Sequence, residues 1–192
     1  MAKFTLELRG DAPLIMHNAQ LSDPLNPASK YLAEITSKRK KSEEDHIEAS
    51  RREFIGSLYI SDPLGPYIPG TVIEACLFRG ATKTKMGTTL KPALIIHEEV
   101  NPLIYQGPRT ADELWLDKSF VHRASVKVGT SRVMRTRPVF ASWEVSVTGE
   151  LDTETVDPDD FEGIVATAGR MAGVGDWRPR HGRFSLVSAV WE

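Results

Sequence analysis

The sequence predicts an α+β fold in which helices pack on one face of an antiparallel sheet. At the N-terminus, Phe4, Leu6 and Leu8 alternate with polar residues, which is typical of a half-buried strand. Residues 184–191 are predicted to form a closing strand, and helical patterns lie between the two ends. A chain of 192 residues that is 41% hydrophobic can bury a core without cross-links.

The first helical region covers residues 28–58 and is predicted to break into two helices near residues 41–42. Ser42 is the predicted N-cap of the second helix, because three acidic residues follow it in the first turn. Acidic side chains there complement the helix dipole.

The next helix is predicted to begin at Thr71, because Thr71 and Glu74 have the spacing of a capping box. Apolar and small residues then recur at the spacing of one helical stripe, at Ile73, Cys76, Leu77, Gly80 and Ala81. The small residues indicate close packing.

The second half is predicted to be mostly β. Expected strands cover residues 93–96, 103–105, 120–128, 131–137 and 140–148, with one helical segment over residues 110–116. Asp157 and Pro158 have the types expected for the N-cap and first position of a last helix, ending at Gly173.

The charges are segregated along the chain, although the net charge is only −2. Residues 119–143 hold five basic residues and no acidic one, and residues 144–162 hold eight acidic residues and no basic one. A further basic run covers residues 38–41. This segregation predicts a basic face that fits a nucleic acid, although solvated charged faces would give the same pattern.

Several function classes lack their sequence signals. The single cysteine excludes an internal disulfide framework, and no apolar stretch is long enough to span a membrane. The start lacks a signal-peptide core, so a cytoplasmic protein is expected. There is no phosphate-binding loop, no nucleophile elbow and no His-Glu-x-x-His motif. We therefore predict no metal, no cofactor and no catalytic activity.

Two glycine-bounded segments, residues 65–71 and 173–183, carry the most information. The second is rich in cationic and planar groups that suit phosphates and bases, namely Trp177, Arg178, Arg180, His181 and Arg183. Glycines predicted to shape the segments are Gly70, Gly173, Gly175 and Gly182. The alternative is a surface turn whose arginines pair with acidic residues 144–162.

The two segments and the start of the chain resemble the RAMP superfamily of CRISPR-associated proteins. Pro-Tyr-Ile-Pro-Gly-Thr at residues 66–71 is similar to the family's Pro-x-Ile-Pro-Gly-Ser/Thr stretch, with Glu74 in place of its lysine and Ala75 in place of its glycine. Residues 173–184 resemble the family's glycine-rich loop, with Arg183 at its last glycine. Residues 12–17 resemble the turn after the opening strand.

The resemblance implies one ferredoxin-like, RRM-type domain over residues 1–192. Residues 24–60 would be a helical insertion after the first strand, and residues 120–140 a basic β-hairpin or loop. The most similar type is the backbone subunit that polymerises along guide RNA, including a reduced, prokaryotic or phage-encoded relative. The implied partners are single-stranded RNA or DNA, copies of this chain and other subunits of a ribonucleoprotein complex, with no membrane.

The predicted strand-binding residues are cationic or aromatic, and phosphate contacts of this kind do not depend on sequence. They are Lys38, Arg39, Arg123, Lys127, Arg132, Arg135, Arg137, Trp177, Arg178, Arg180, His181 and Arg183. Two alternatives stay open. One is a metal-dependent endoribonuclease using Asp23, with His17 as the position of a catalytic histidine in another branch of the family. The other is a structural or inhibitory protein that keeps the fold without catalysis.

Overall fold

The computed structural model describes the backbone of all 192 residues and every side chain except that of Val128. Helices and strands alternate irregularly along this backbone, which agrees with the predicted α+β class. In chain order the elements are β1 (Ala2–Gly10), β2 (Leu14–Ile15), α1 (Pro27–Thr36), α2 (Glu43–Ser57), β3 (Ile60–Ser61), β4 (Gly65–Pro69), α3 (Gly70–Lys83), α4 (Gly87–Ala93), β5 (Leu94–Ile96), β6 (Val100–Pro102), α5 (Ala111–Leu116), β7 (Val121–Val128), β8 (Ser131–Phe140), β9 (Glu144–Leu151), α6 (Pro158–Met171) and β10 (Phe184–Trp191).

The chain divides into two units that both use discontinuous segments. The first unit consists of Met1–Leu14, Ser61–Gln106 and Phe140–Glu192, and the second of Ile15–Ile60 and Gly107–Val139. All of the predicted helical insertion, and all of the predicted basic hairpin except Phe140, therefore falls in the second unit.

The first unit is built on a four-stranded sheet in the order β10-β1-β9-β5. All neighbouring strands are antiparallel, and Leu6 lies opposite Val147 and Ala189. The alternating residues of β1 are buried as predicted, and Phe4 contacts Phe161 of α6 with ring centroids 5.1 Å apart. Helices α3 and α6 contact each other, and they cover this one face of the sheet.

The capping box predicted at Thr71 and Glu74 is wrong. Helix α3 begins one residue earlier, at Gly70, and its N-cap residue makes no side-chain hydrogen bond. Instead, the Glu99 carboxylate accepts hydrogen bonds from the Thr71 amide (3.0 Å) and hydroxyl (2.9 Å). A carboxylate from a distant segment thus satisfies one of the first amides of the helix.

The predicted N-caps of α2 and α6 are confirmed. Ser42 and Asp45 form a reciprocal capping box at the start of α2. Asp157 caps α6, and Pro158 takes its first position.

The predicted strand over residues 140–148 is displaced, because Phe140 ends β8 and β9 begins at Glu144. Helix α4 was not predicted. Among the described residues, no helix has the length and apolarity that a membrane span requires.

In the second unit, α1 packs against α2, and β7 pairs with β8 as an antiparallel hairpin. Arg52 of α2 joins the helices by donating hydrogen bonds to Glu48 (2.9 Å), to Glu34 (2.9 Å) and to the carbonyl oxygen of Tyr31. The helix pair and the hairpin are the two elements that position most of the predicted binding residues.

Candidate nucleic-acid interface

One face of the β7–β8 hairpin carries three exposed cations. Lys127 lies directly opposite Arg132, and Arg123 lies four residues before Lys127 on the same strand. Opposite residues and residues an even number apart share a face, so all three side chains point to the same side. None of the ion pairs that the structure describes includes Arg123, Lys127 or Arg132. We call this trio the hairpin face.

The opposite face of β8 is held by a buried carboxylate. Glu53 of α2 accepts hydrogen bonds from Arg137 (2.8 Å), Arg135 (3.1 Å) and the backbone amide of Thr136 (2.9 Å). The Arg137 side chain is only 7% exposed, whereas that of Arg135 is 40% exposed. The charge of Arg137 is therefore paired with Glu53 in the interior of the unit, whereas Arg135 remains accessible to solvent.

A groove of about 1200 Å³ lies within the second unit, between the helix pair and the hairpin. Its lining combines apolar side chains with cations. The apolar residues include Leu32, Ile47, Trp115, Val133 and Met134, and the cations are Lys41, Lys118, Arg123 and Arg135. Apolar surface beside cations is the combination that accepts bases and phosphates of a single strand.

The junction of α1 and α2 holds the other predicted cations of this unit. The Lys38 ammonium lies 2.6 Å from the Asp45 carboxylate and forms an ion pair with it. This hydrogen bond lowers the pKa of Asp45 below its ordinary value. Arg39 is exposed and takes part in none of the described ion pairs.

In the first unit, backbone hydrogen bonds close the glycine-rich loop over residues 173–183. The Val174 amide donates to the carbonyl oxygen of Gly182 (2.9 Å), and the Gly182 amide donates to that of Pro13 (2.9 Å). Gly182 has φ +69°, and a Cβ atom there would collide with the Val174 carbonyl. Gly173 (φ +69°) and Gly175 (φ +78°) are also left-handed, so the loop conformation requires these glycines.

Gly70 has a different role, because its φ is not in the left-handed region. A Cβ atom at Gly70 would collide with the carbonyl oxygen of Glu98, and its amide donates to the carbonyl oxygen of Glu99 (3.0 Å). This glycine allows residues 98–99 to approach the start of α3.

The arginines of the loop are exposed. Arg178, Arg180 and Arg183 all point to solvent, and no described ion pair joins them to the acidic residues 144–162. The rings of Trp177 and His181 lie 6.0 Å apart beside them. The loop thus presents planar cations next to aromatic rings.

The structure also reveals a basic cluster at the end of α3 that the sequence reasoning missed. Arg79, Lys83, Lys85 and Lys91 are exposed at this end of the first unit. The sequence signal was weak, because these cations are spread over thirteen residues and two helices. The positions of Arg79 and Lys83 outside the buried stripe of α3 were the available hint.

Asp23 and His17, the residues of the nuclease alternative, lie near the start of the second unit. The Asp23 carboxylate accepts a hydrogen bond from the Leu25 amide (2.9 Å). This contact is typical of a local turn. The carbonyl oxygen of His17 accepts a hydrogen bond from Tyr59 (3.4 Å). Among the described side chains, no three histidines, cysteines or carboxylates are grouped as metal ligands.

No protein-family model matches this chain, and a search of curated proteins likewise finds no match.

Proposed function

We propose that this chain binds a single strand of RNA or DNA through its phosphates and assembles copies of itself along that strand, as a RAMP-type strand-coating protein. The observation that carries the proposal is the hairpin face, where Lys127 lies directly opposite Arg132 and Arg123 shares their side. The proposal explains why three like charges are placed together.

Like charges directly opposite each other on a hairpin destabilise it. A phosphate chain placed along the hairpin face would offset this repulsion and release counterions from the nucleic acid. The nearby groove offers Met134 and Ile47, which are 50% and 56% exposed, as apolar surface for the bases. Phosphate contacts and base contacts would then come from one unit.

The strand order of the first unit supports a ferredoxin-like core. In the order β10-β1-β9-β5, α3 connects β1 to β5 and α6 connects β9 to β10. The connection through α3 crosses over β9, and the connection through α6 crosses over β1. This is the β-α-β-β-α-β arrangement of that fold. The proposed RAMP relationship requires this core.

The glycine-rich loop supports the same proposal. It exposes Arg178, Arg180 and Arg183 on a backbone with three left-handed glycines, which one hydrogen bond across the loop and one to Pro13 hold in place. A preorganised loop loses little conformational entropy when its arginines bind phosphates. Backbone contacts alone do not distinguish RNA from DNA, so the proposal covers both.

Binding of a fluorescent single strand, followed by anisotropy between about 50 and 200 mM salt, tests the proposal. In the test variant, Arg123, Lys127 and Arg132 are all replaced by threonine, which is well suited to strands. We expect weaker binding and a log–log salt slope that falls by about 0.7 for each lost phosphate contact.

The control combines Lys3→Thr and Lys30→Ala, which remove two exposed cations outside the hairpin face and the loop. The control should bind as the wild type does. Unchanged affinity and slope in a folded triple variant would show that the hairpin face does not contact the strand. A wild-type chain without salt-dependent binding would contradict the function itself.

A further inference from the structure

We infer that the end of helix α3 forms a second phosphate-binding surface for the same single strand, an inference that rests on the proposed function. This surface, the α3-end patch, is lined by cations from three segments of the first unit. They are Arg79, Lys83, Lys85, Lys91 and Arg178.

Two adjoining grooves give the α3-end patch its shape. The first, of about 620 Å³, is lined by Arg79, Lys83, Trp177 and Arg178 among others. The second, of about 460 Å³, is lined by Arg79, Lys85 and Lys91 together with Phe78 and Thr88. Because Arg79 and Thr82 line both, the grooves meet at this point on α3. An extended chain can follow them in succession.

The patch is strongly cationic in a chain whose net charge is −2. Its five basic side chains are all exposed, and none takes part in a described ion pair. Asp176 is the one carboxylate among the residues that line these two grooves. Such a local excess of positive charge attracts polyanions and speeds their association.

The backbone at Lys85 points to a role for its side chain. Lys85 has φ +63°, and the following amide of Met86 donates to the carbonyl oxygen of Ala81 (2.7 Å), which closes the end of the helix. Glycine is strongly preferred at this position, because it adopts the left-handed conformation without strain. A lysine at this position destabilises the protein through backbone strain. Phosphate binding by its charge would explain why a lysine is present.

Trp177 also has a strained backbone, and it lines the other groove that Arg79 borders. Its φ is +54°, and Lys85 and Trp177 are the two non-glycine residues with positive φ in the described backbone. Both line the α3-end patch. Residues held in such conformations cluster at ligand sites. The indole beside Arg178 would contact a base while the cations hold the phosphates.

A purely structural role would explain part of the charge. Lys83 and Lys91 lie in the last turns of α3 and α4, where cations also complement the helix dipole. Lys85 distinguishes phosphate binding from a structural role. It lies after the last residue of α3, at a position where glycine would stabilise the fold more.

The test is Lys85→Gly in the full chain, with Lys85→Arg as its charge-conserving partner. We expect Lys85→Gly to unfold at the same or a higher temperature, yet to bind a labelled single strand several-fold more weakly. Its log–log salt slope should fall by about 0.7. Lys85→Arg should bind as the wild type does, and Lys30→Ala serves as the exposed-lysine control. A double variant, Arg79→Gln with Lys91→Gln, should weaken binding further.

The outcomes distinguish this inference from the proposed function. If the hairpin-face variant loses binding while Lys85→Gly and the double variant keep wild-type affinity and slope, the α3-end patch does not contact the strand. The proposed function then stands alone. If the wild-type chain shows no salt-dependent binding, both are overturned. Weaker binding by Lys85→Gly with unchanged stability supports the inference.

Discussion

Glu53 organises strand β8 from the interior of the second unit, because one carboxylate binds two arginines and a backbone amide. Replacing it with glutamine would remove the negative charge with which the buried Arg137 pairs. We expect Glu53→Gln to lower the free energy of unfolding by about 3–5 kcal/mol. Urea unfolding followed by circular dichroism measures the loss.

Glu34 provides the control for this prediction, because its side chain is 65% exposed and pairs with Arg52 at the surface. Glu34→Gln should change the stability by less than about 1 kcal/mol. Equal effects of the two substitutions would contradict the structural role assigned to Glu53.

Cys76 is buried in the stripe of α3, and burial raises the pKa of its thiol from 9.0 to about 12. Because the unfolded chain ionises at lower pH, the neutral thiol stabilises the fold below pH 9. This contribution is lost as the pH rises towards 12. A thiol reagent should therefore not react with the native protein at pH 8, but should react fully in denaturant. Rapid reaction of the native protein would contradict this burial.

Individual cations of the hairpin differ in how far the sequence could predict their contacts. The shared face of Arg123 and Lys127 follows from strand periodicity, and the structure agrees. The partnership of Glu53 with Arg137 spans 84 positions, so no local pattern indicates it. The sequence therefore predicted Arg137 as a binding residue with the same weight as Arg132.

At the scale of elements, helices α3 and α6 pack closely at Gly80. A Cβ atom at Gly80 would lie 2.6 Å from the Cβ of Ala168, far inside contact distance. We expect Gly80→Ala to destabilise the protein by about 1–2 kcal/mol, since overpacking outweighs the better helix propensity of alanine. Thermal or urea unfolding measures this change.

Gly163 of α6 is the matched control, because a Cβ atom there would meet nothing within 4 Å. Gly163→Ala should raise the stability by about 0.5–1 kcal/mol. If Gly80→Ala also stabilises the protein, the two helices do not approach each other as described.

The element boundaries show the limits of local patterns. The caps Ser42 and Asp157 could be predicted from local sequence, because each accepts a hydrogen bond from an amide within three residues. At α3 the Thr71 amide is bound by the carboxylate of Glu99, 28 positions away, so the local capping box predicted at Thr71 is wrong. Helix α4 was missed because it begins at Gly87 and contains Pro92, which are both poor helix residues.

At the scale of the whole molecule, the α+β class follows from the periodic strands at the two ends and the helical stripes between them. The antiparallel order β10-β1-β9-β5 brings those two ends together as neighbours. The division into two units was harder to foresee, because the second unit combines residues 15–60 with residues 107–139. No composition change marks this pairing of distant segments.

Assembly of several copies along one strand predicts how the mass of the complex depends on strand length. Attraction between one copy and the strand does not predict this dependence. On a single strand of roughly 40 nucleotides, whose length exceeds the site size of a typical single-strand binding domain, several copies should bind together. The mass of the complex should increase with strand length, and high salt should dissociate it.

Size-exclusion chromatography with light scattering measures this directly, on protein purified in high salt and mixed with single-stranded RNA or DNA. We predict a complex of several copies on at least one of the two strands, with a mass that grows as the strand is lengthened. A chain that elutes unchanged with both strands, or one copy per strand at every length, would contradict it.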